Sequence, residues 1–169
     1  MKYLIVVDMQ NDFIDGALGT PEAAAIVPAV EAKIRAFDGH IIFTQDTHFE
    51  NYLSTQEGRK LPVEHCIRET QGWQIRKELL KAAEGKDYEV VEKYTFGSSL
   101  LPDIITDPDS IEILGLCTDI CVVSNALILK AKFFETPMML DPKCCAGVTP
   151  EKHNAALEVL RSCQVEVTE

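Results

Sequence analysis

The stretch SIEILGLCTDICVVSNALILKAKFF, residues 110–134, joins a short apolar run to a segment expected to be helical. The run Ser110–Leu114 is short and apolar, which is typical of a strand that is buried on both faces of a sheet. The helix is expected from about Asp119 to Phe133. A strand followed directly by a helix is the repeating unit of a parallel sheet covered by helices, so this stretch predicts an α/β fold.

The same alternation of short apolar runs and helical stretches continues along the rest of the chain. It predicts a three-layer αβα sandwich around a mainly parallel six-stranded sheet, a Rossmann-like architecture. The segment Phe49–Gly72 has no clear periodicity, and we expect it to be ordered and to cover part of the molecule. The other predicted strands are Tyr3–Val7, His40–Thr44, Tyr88–Val91, Thr136–Leu140 and Gln164–Val167, and the other predicted helices are Pro21–Phe37, Gln74–Ala83 and Pro150–Arg161.

The composition indicates an ordinary globular protein with one domain, residues 1–169. With 46% hydrophobic and 25% charged residues, it argues against a disordered chain and against a membrane-spanning one. The formal net charge of -11, spread along the chain, argues against nucleic acid as a partner. The apolar run before Asp8 is too short for a signal peptide or a bilayer span, so we expect a cytoplasmic protein with no membrane partner.

The six cysteines show neither a CxxC pair nor zinc-finger spacing, which indicates free thiols in a reducing compartment. Cys117 and Cys121 stand four residues apart after an apolar run. This spacing alone leaves open a metal pair, a disulfide, two packing residues or a nucleophile. The remaining cysteines are interpreted as packing residues: Cys66, Cys144, Cys145 and Cys163.

In an open parallel sheet, ligands bind outside the carboxyl ends of the strands. The residues that follow the predicted strands are Asp8, Asp46 with His48, Lys93 and the stretch Gly115–Cys121. Taken singly, a strand-end aspartate usually caps a loop and a strand-end lysine is usually solvated. Their shared position at one edge of the sheet predicts a site that combines ionisable and nucleophilic side chains.

Four blocks stand out in the sequence: VVDMQNDF at 6–13, TQDTH at 44–48, EKYTFGSS at 92–99 and GLCTDICV at 115–122. They resemble, in the same order, the signature blocks of the isochorismatase-like cysteine hydrolases, and they are most similar to the nicotinamidase (pyrazinamidase) branch. The resemblance extends from about residue 3 to residue 167. It implies the isochorismatase-like hydrolase fold and hydrolysis of an amide C–N bond, as in NAD metabolism, where nicotinamide and water give nicotinate and ammonia.

The resemblance implies a catalytic triad of Cys121, Asp8 and Lys93, with a thioester formed on the sulfur of Cys121. A free thiol has a pKa near ~8.5 and needs activation, which an early position in a helix and the charge of Lys93 are expected to provide. Asp8 would accept the thiol proton and return it to the departing amine. The resemblance also implies a cis peptide bond at Leu116–Cys117 and an oxyanion hole built from the backbone N–H groups of Cys117 and Cys121. Cys117 would then contribute its backbone and not its thiol.

Asp46 and His48 lie two residues apart in extended chain, which puts both side chains on one face, and a histidine with a carboxylate suits a divalent metal ion. Taken alone, this spacing is also compatible with a capping aspartate and a solvated histidine. The resemblance adds His65 as a further ligand, with Glu57 as a fourth ligand or a water holder. It implies zinc as the cofactor, with iron or manganese as alternatives.

The partner implied by the resemblance is a small-molecule amide, with the metal holding the pyridine nitrogen of nicotinamide and the carboxamide turned toward Cys121. Phe13, Phe96 and Trp73 are predicted to form aromatic walls around it. The chain departs from the family pattern because it is shorter than most nicotinamidases and reads SSLLPD after Gly97, where a phenylalanine and an acidic residue are often found.

Two alternative functions therefore stay open. One is another hydrolase of the superfamily, acting on a different small amide, a carbamoyl compound or a vinyl ether. The other is a non-catalytic α/β binding protein. The sequence does not give the assembly state, and a homo-oligomer is compatible with it.

Overall fold

A parallel sheet forms the centre of the computed structural model, which describes residues 1–168. All neighbouring strands pair in parallel, in the order β3-β2-β1-β4-β5-β6. The predicted α/β architecture with a six-stranded sheet is confirmed, and the sheet is parallel throughout. The strands are β1 (Lys2–Val7), β2 (His40–Asp46), β3 (Tyr88–Lys93), β4 (Ser110–Leu116), β5 (Met138–Ala146) and β6 (Glu166–Val167).

Helices and turns fill the connections between the strands. The helices are α1 (Asn11–Ile14), α2 (Pro21–Ala25), α3 (Val27–Ala36), α4 (Gln56–Lys60), α5 (Lys77–Ala82), α6 (Leu101–Ile104), α7 (Val123–Lys132) and α8 (Pro150–Ser162). A 3₁₀ turn covers Tyr52–Ser54, and a π turn covers Thr118–Val122. Helix α3 packs against α5, and α7 packs against α8. Because parallel crossovers are right-handed, the connections that run from β1 toward β3 and from β4 toward β6 lie on opposite faces of the sheet.

The strand order reverses between β1 and β4, the two central strands. At such a reversal the carboxyl ends of the strands border a crevice in which ligands bind. Gly115 of β4 allows the close approach of the two strands, because a Cβ atom there would lie 2.2 Å from the carbonyl oxygen of Val7 and its φ is +120°. The central pair of strands therefore fixes where the residues after β1 and after β4 meet.

Strands β2 and β3 are each two residues longer than predicted, and they end at Asp46 and Lys93. The apolar runs stop earlier, but backbone pairing does not require apolar side chains, and the ladder continues until Asp46 pairs in register with Lys93. This pairing alone places a carboxylate beside an ammonium group at the edge of the sheet.

Strand β5 was predicted over Thr136–Leu140 and instead covers Met138–Ala146. The letters DPK after Leu140 are typical of a turn, which is why the prediction stops there. In the structure the register against β4 shifts between Ile113 and Gly115, and this irregularity lets the strand continue past Pro142.

The predicted helix Pro21–Phe37 is two helices, α2 and α3, which meet at Ile26. Pro28 has no N–H group and would break a continuous helix, whereas in the first turn of α3 it costs no hydrogen bond.

The segment Phe49–Gly72 folds back over the carboxyl end of β2, as its predicted covering role requires. An isolated parallel bridge between His48 and Ile67 closes it. Tyr52 anchors its middle, since the ring is fully buried and the hydroxyl donates to the carbonyl oxygen of Leu61 at 2.9 Å. Through this segment, residues far from β2 in sequence reach the strand ends.

Among residues 1–168, no helix combines the length and the apolar character needed to cross a bilayer.

Candidate active site

Lys93 lies at the centre of a group of ionisable side chains at the carboxyl edge of the sheet. Its Nζ is 2.7 Å from Asp8 Oδ2 and 3.5 Å from Cys121 Sγ. It also donates to the carbonyl oxygen of Thr95 at 3.0 Å. Asp8 follows β1 directly, Lys93 ends β3, and Cys121 lies in the π turn after β4. The structure therefore brings together the three residues of the predicted triad.

The thiol of Cys121 is buried, with 5% of the residue exposed. Burial and the negative charge of Asp8 raise the pKa of this thiol well above its usual value, and Lys93 offsets only part of the effect. Lys93 acts to lower this pKa, as the sequence predicted, but burial and the carboxylates outweigh one ammonium group, so the net shift is upward. A thiol whose pKa is raised in this way has to lose a proton before its sulfur can attack a substrate.

Asp8 is suited to receive that proton. Burial raises the pKa of its carboxyl above the usual value, while Lys93 acts to lower it and Asp46 acts to raise it. Its Oδ1 accepts a hydrogen bond from the hydroxyl of Thr44 at 2.6 Å. A buried carboxylate of raised basicity next to a thiol can act as a general base and then as a general acid.

Asp46 connects this group to a pair of histidines. Its Oδ1 accepts a hydrogen bond from Lys93 at 2.9 Å, and its Oδ2 is 3.0 Å from Nε2 of His48. Burial acts to raise the pKa of Asp46, but His48 and the charge of Lys93 outweigh it and hold that pKa below its usual value.

The pKa of Lys93 is raised well above its usual value. Burial acts to lower it, but the negative charges around the ammonium, that of Asp8 first, outweigh burial.

Asp46, His48 and His65 form a set of potential metal ligands, and one donor atom from each lies within 4.8 Å of the others. The Nδ1 of His65 donates to the carbonyl oxygen of Val63 at 2.8 Å, which leaves the lone pair of Nε2 free. The Nε2 of His48 is buried and makes no hydrogen bond within residues 1–168. A buried imidazole nitrogen without a hydrogen bond beside a carboxylate is typical of a metal ligand, so the donor set fits a divalent cation.

Glu57 approaches the same histidines from α4. Its Oε1 is 3.5 Å from Nε2 of His48 and 3.7 Å from Nε2 of His65. This position is compatible with the predicted role of a fourth ligand or a water holder.

The turn that carries Cys121 begins at Cys117. The peptide bond Leu116–Cys117 is cis, as the resemblance implies. The carbonyl oxygen of Cys117 accepts hydrogen bonds from the N–H groups of Ile120 at 3.0 Å and Val122 at 3.1 Å, which close the turn. Cys117 and Cys121 are both free thiols, and burial raises the pKa of Cys117 to about 12. Neither cysteine belongs to the metal-ligand set, which excludes a metal pair. Both thiols are free, which excludes a disulfide between them.

A cavity of about 260 Å³ opens beside Cys121. Phe13 and Phe96 line it, as predicted, and Cys117 also reaches it. Trp73 is not one of its lining residues, because the indole N–H donates instead to the hydroxyl of Thr47 at 2.8 Å. The rest of the lining is mainly apolar, and its polar residues are Thr20, Asp46, Glu57, His65 and Lys152.

Three buried polar residues that the sequence analysis did not predict support these groups. Gln10 bonds the backbone of Asp46, Thr44 bonds Asp8, and Asn125 bonds the carbonyl oxygen of Cys121. The sequence feature that could have identified them is a polar residue in an otherwise apolar run. Such a residue is usually buried and needs a hydrogen-bond partner.

A family model for the isochorismatase domain matches residues 2–169. The chain belongs to this family.

The chain is also similar over nearly its whole length to proteins described as nicotinamidases or pyrazinamidases. The nicotinamidase/pyrazinamidase of Mycobacterium tuberculosis is 27% identical over 184 residues, covering 99% of this chain and 98% of the relative. The crystal structure of a nicotinamidase/pyrazinamidase from Bacillus subtilis has a TM-score of 0.82 and 26% identity, covering 100% of both chains. The pyrazinamidase of Pyrococcus horikoshii, crystallised in complex with zinc, has a TM-score of 0.82 and 30% identity, covering 99% of this chain and 98% of that one.

Proposed function

We propose that this protein is an amide hydrolase of the nicotinamidase type, which converts nicotinamide and water to nicotinate and ammonia through a thioester on Cys121. The observation that carries this proposal is the contact of Cys121 with the Lys93–Asp8 ion pair, beside a cavity that is also lined by Asp46 and His65. The names of the three relatives support it. The proposed activity belongs to NAD metabolism, and a free catalytic thiol suits the reducing cytoplasm.

In the first half of the reaction, Sγ of Cys121 attacks the carboxamide carbon while its proton passes to Asp8. Collapse of the tetrahedral intermediate breaks the C–N bond, and Asp8 returns the proton to the departing nitrogen, so that ammonia leaves. Lys93 stays charged and holds the carboxylate of Asp8 in place. The backbone N–H groups of Cys117 and Cys121 are the proposed donors to the developing oxyanion, each worth about 3 kcal/mol of barrier.

In the second half, a water molecule attacks the thioester carbon and Asp8 accepts one of its protons. Breaking the C–S bond returns that proton to the sulfur of Cys121 and releases the acid. The same carboxylate thus acts as base and as acid in each half, which its raised pKa favours.

Asp46, His48 and His65 are the residues that would hold a divalent cation, with Glu57 beside them. Zinc is the first candidate, because the Pyrococcus horikoshii relative was crystallised with it and because two imidazoles and a carboxylate suit it. When bound, the ion supplies an acceptor for the lone pair of a ring nitrogen. Phe13 and Phe96 would then face the ring from the cavity walls.

The test is ammonia release from nicotinamide and from benzamide, which has the same ring shape without the nitrogen, together with metal analysis of the same sample. We expect nicotinamide to react faster by about a hundredfold or more, because losing one good polar anchor costs a few kcal/mol. Chelation should lower nicotinamide hydrolysis while alkylation of Cys121 continues, since the ion serves substrate binding.

Equal rates on the two amides, with no metal in active protein, would contradict the nicotinamidase proposal and leave a more general amide hydrolase. Absence of hydrolysis across a panel of amides, with a Cys121 thiol that reacts no faster than the other buried cysteines, would favour the non-catalytic binding protein.

A further inference from the structure

Asn125 of α7 joins two segments of the active site. The side chain is fully buried, and all its polar atoms are used. Its Nδ2 donates to the carbonyl oxygen of Cys121 at 2.8 Å and to the carbonyl oxygen of Phe96 at 3.2 Å. Its Oδ1 accepts the N–H of Ser98 at 2.8 Å. One amide group therefore holds the turn of the nucleophile and the segment that follows β3.

The segment after β3 carries two groups that matter to the proposed reaction. The carbonyl oxygen of Thr95 accepts a hydrogen bond from Nζ of Lys93, and Phe96 lines the cavity. Phe96 is 48% exposed, so its own ring is only partly held by packing. Gly97 lies so close to α7 that a Cβ atom there would be 2.4 Å from Cδ1 of Ile128. The segment is thus docked on α7 by a close backbone approach and by the amide of Asn125.

The other side of the turn is held by a different part of the protein. The hydroxyl of Thr118 is 2.8 Å from Nδ1 of His153 in α8, and Oδ1 of Asp119 accepts the N–H of Val148 at 2.9 Å. These bonds fix the turn relative to α8 and to the segment just before it, not relative to Lys93. The hydrogen bonds of Asn125 instead connect the turn to the segment after β3, whose Thr95 carbonyl oxygen binds Lys93.

We propose that Asn125 is a positioning residue for hydrolysis. It fixes the turn of Cys121 relative to the segment that holds the ammonium of Lys93, and so maintains the 3.5 Å contact between Lys93 Nζ and Cys121 Sγ. The expected loss of turnover rests on the proposed function. The expected change in the reactivity of the Cys121 thiol does not, because it can be measured without any substrate. Rate depends steeply on such placement, since a misplacement of about 1 Å can cost roughly a hundredfold.

The test compares Asn125→Asp and Asn125→Ala with the wild type. Asn125→Asp keeps the shape and the acceptor for Ser98 but cannot donate to the two carbonyl oxygens. Asn125→Ala removes all three bonds without adding a charge, and it remains informative if the buried carboxylate prevents folding. The matched control is Ser98→Ala, which removes the hydroxyl that accepts the N–H of Leu100 and keeps the backbone N–H that Asn125 binds.

For folded Asn125 variants we expect kcat on nicotinamide to fall by about tenfold or more, with KM changed by less than about threefold, because the chemical step depends most on placement. The alkylation rate of Cys121 by iodoacetamide, measured without substrate by peptide mass spectrometry, should fall by about fivefold or more, because thiolate formation depends on the nearby cation. Ser98→Ala should stay within about twofold of the wild type in both measurements.

If the folded Asn125 variants have the kcat and the Cys121 alkylation rate of the wild type, Asn125 has only a structural role and the inference is overturned. An increase in KM alone would also overturn it, since Asn125 would then hold only the cavity wall. If the wild type hydrolyses no amide, the proposed function fails, and slower alkylation in the Asn125 variants still supports the positioning role at Cys121.

Discussion

Gln10 holds the backbone of Asp46 from both sides. Its Oε1 accepts the N–H of Asp46 at 2.7 Å, and its Nε2 donates to the carbonyl oxygen of Asp46 at 2.8 Å. The same Nε2 also donates to the carbonyl oxygen of Trp73 at 2.8 Å. Because both side chains are buried, this paired contact determines where the carboxylate of Asp46 lies relative to His48 and His65.

Replacing Gln10 should therefore weaken metal binding. For Gln10→Ala we expect the affinity for zinc to fall by about ten- to hundredfold, as is usual when a residue that orients a ligand is removed. The measurement is a competition titration with a chromophoric chelator. The control is Gln45→Ala, because Gln45 donates to the same carbonyl oxygen of Trp73 at 2.9 Å without bonding Asp46. Equal losses in both variants would contradict the role of Gln10.

The two cysteines of the active-site turn should behave differently when replaced. Cys121→Ala should abolish amide hydrolysis and leave the protein folded, because the proposed thioester needs a sulfur atom at that position. Cys117→Ala should retain substantial activity, since its proposed contribution is the backbone N–H. Ammonia release and circular dichroism give the two readouts, and the reverse pattern would reassign the nucleophile.

Lys93 should contribute strongly to the free energy of unfolding. Its ammonium lies 2.7 Å from Asp8 and 2.9 Å from Asp46, and only 1% of its side chain is exposed. Lys93→Met would leave two buried carboxylates without their cation, so we expect a loss of about 3–5 kcal/mol in urea unfolding.

The control for Lys93 is Lys33→Met. Lys33 also contacts two carboxylates, Glu112 at 2.6 Å and Asp141 at 3.7 Å, but 30% of its side chain is exposed. Solvent screening should limit its loss to about 1 kcal/mol or less. Losses of similar size in the two variants would show that the burial of Lys93 does not matter.

His40 should make stability depend on pH. Its Nδ1 is 2.8 Å from Asp87 and its Nε2 is 3.0 Å from Glu89. Burial acts to lower the pKa of His40, but these two carboxylates outweigh it and raise that pKa. With a raised folded-state pKa, the stabilisation is complete below the unfolded-state value near ~6.5 and is lost as pH rises through the folded-state pKa.

His40→Gln should accordingly cost up to about 1 kcal/mol near pH ~6 and much less near pH ~9, as measured by urea unfolding at both values. His153→Gln provides a comparison of opposite sign. Burial lowers the pKa of His153, so its neutral form is favoured, and any stabilisation from it is present at high pH and lost as pH falls. A cost for His40→Gln that does not change with pH would contradict the assigned ion pairs.

The positions of side chains at strand ends are the part of the candidate site that the sequence predicts best. Asp8, Lys93 and Cys121 could be placed at one edge because parallel strands align their carboxyl ends, whatever the loops between them do. The direction of the pKa shift of Cys121 could not be predicted, because it is a sum of opposing charges whose distances only the fold supplies.

The partners of Gln10 and Asn125 also could not be predicted from the sequence, although their polar character in apolar runs could have marked the two residues themselves. Their partners Asp46 and Phe96 lie 36 and 29 residues away along the chain, and no local pattern links them. Trp73 shows the opposite error, since an aromatic residue near a predicted site was assigned to the cavity, while its ring N–H is bonded to Thr47.

The position of β1 between β2 and β4 affects how the protein can be synthesised. β1 leaves the ribosome before both of the strands that bury it, and β4 lies far along the chain. At about 5–20 residues per second, this mostly buried strand waits roughly 5–20 seconds for its second neighbour. During that interval the nascent chain exposes Leu4–Val7 as an unpaired edge that favours aggregation. A holding chaperone that binds the chain during this interval should therefore raise the soluble yield, and a solubilising fusion placed before Met1 should act at the same point.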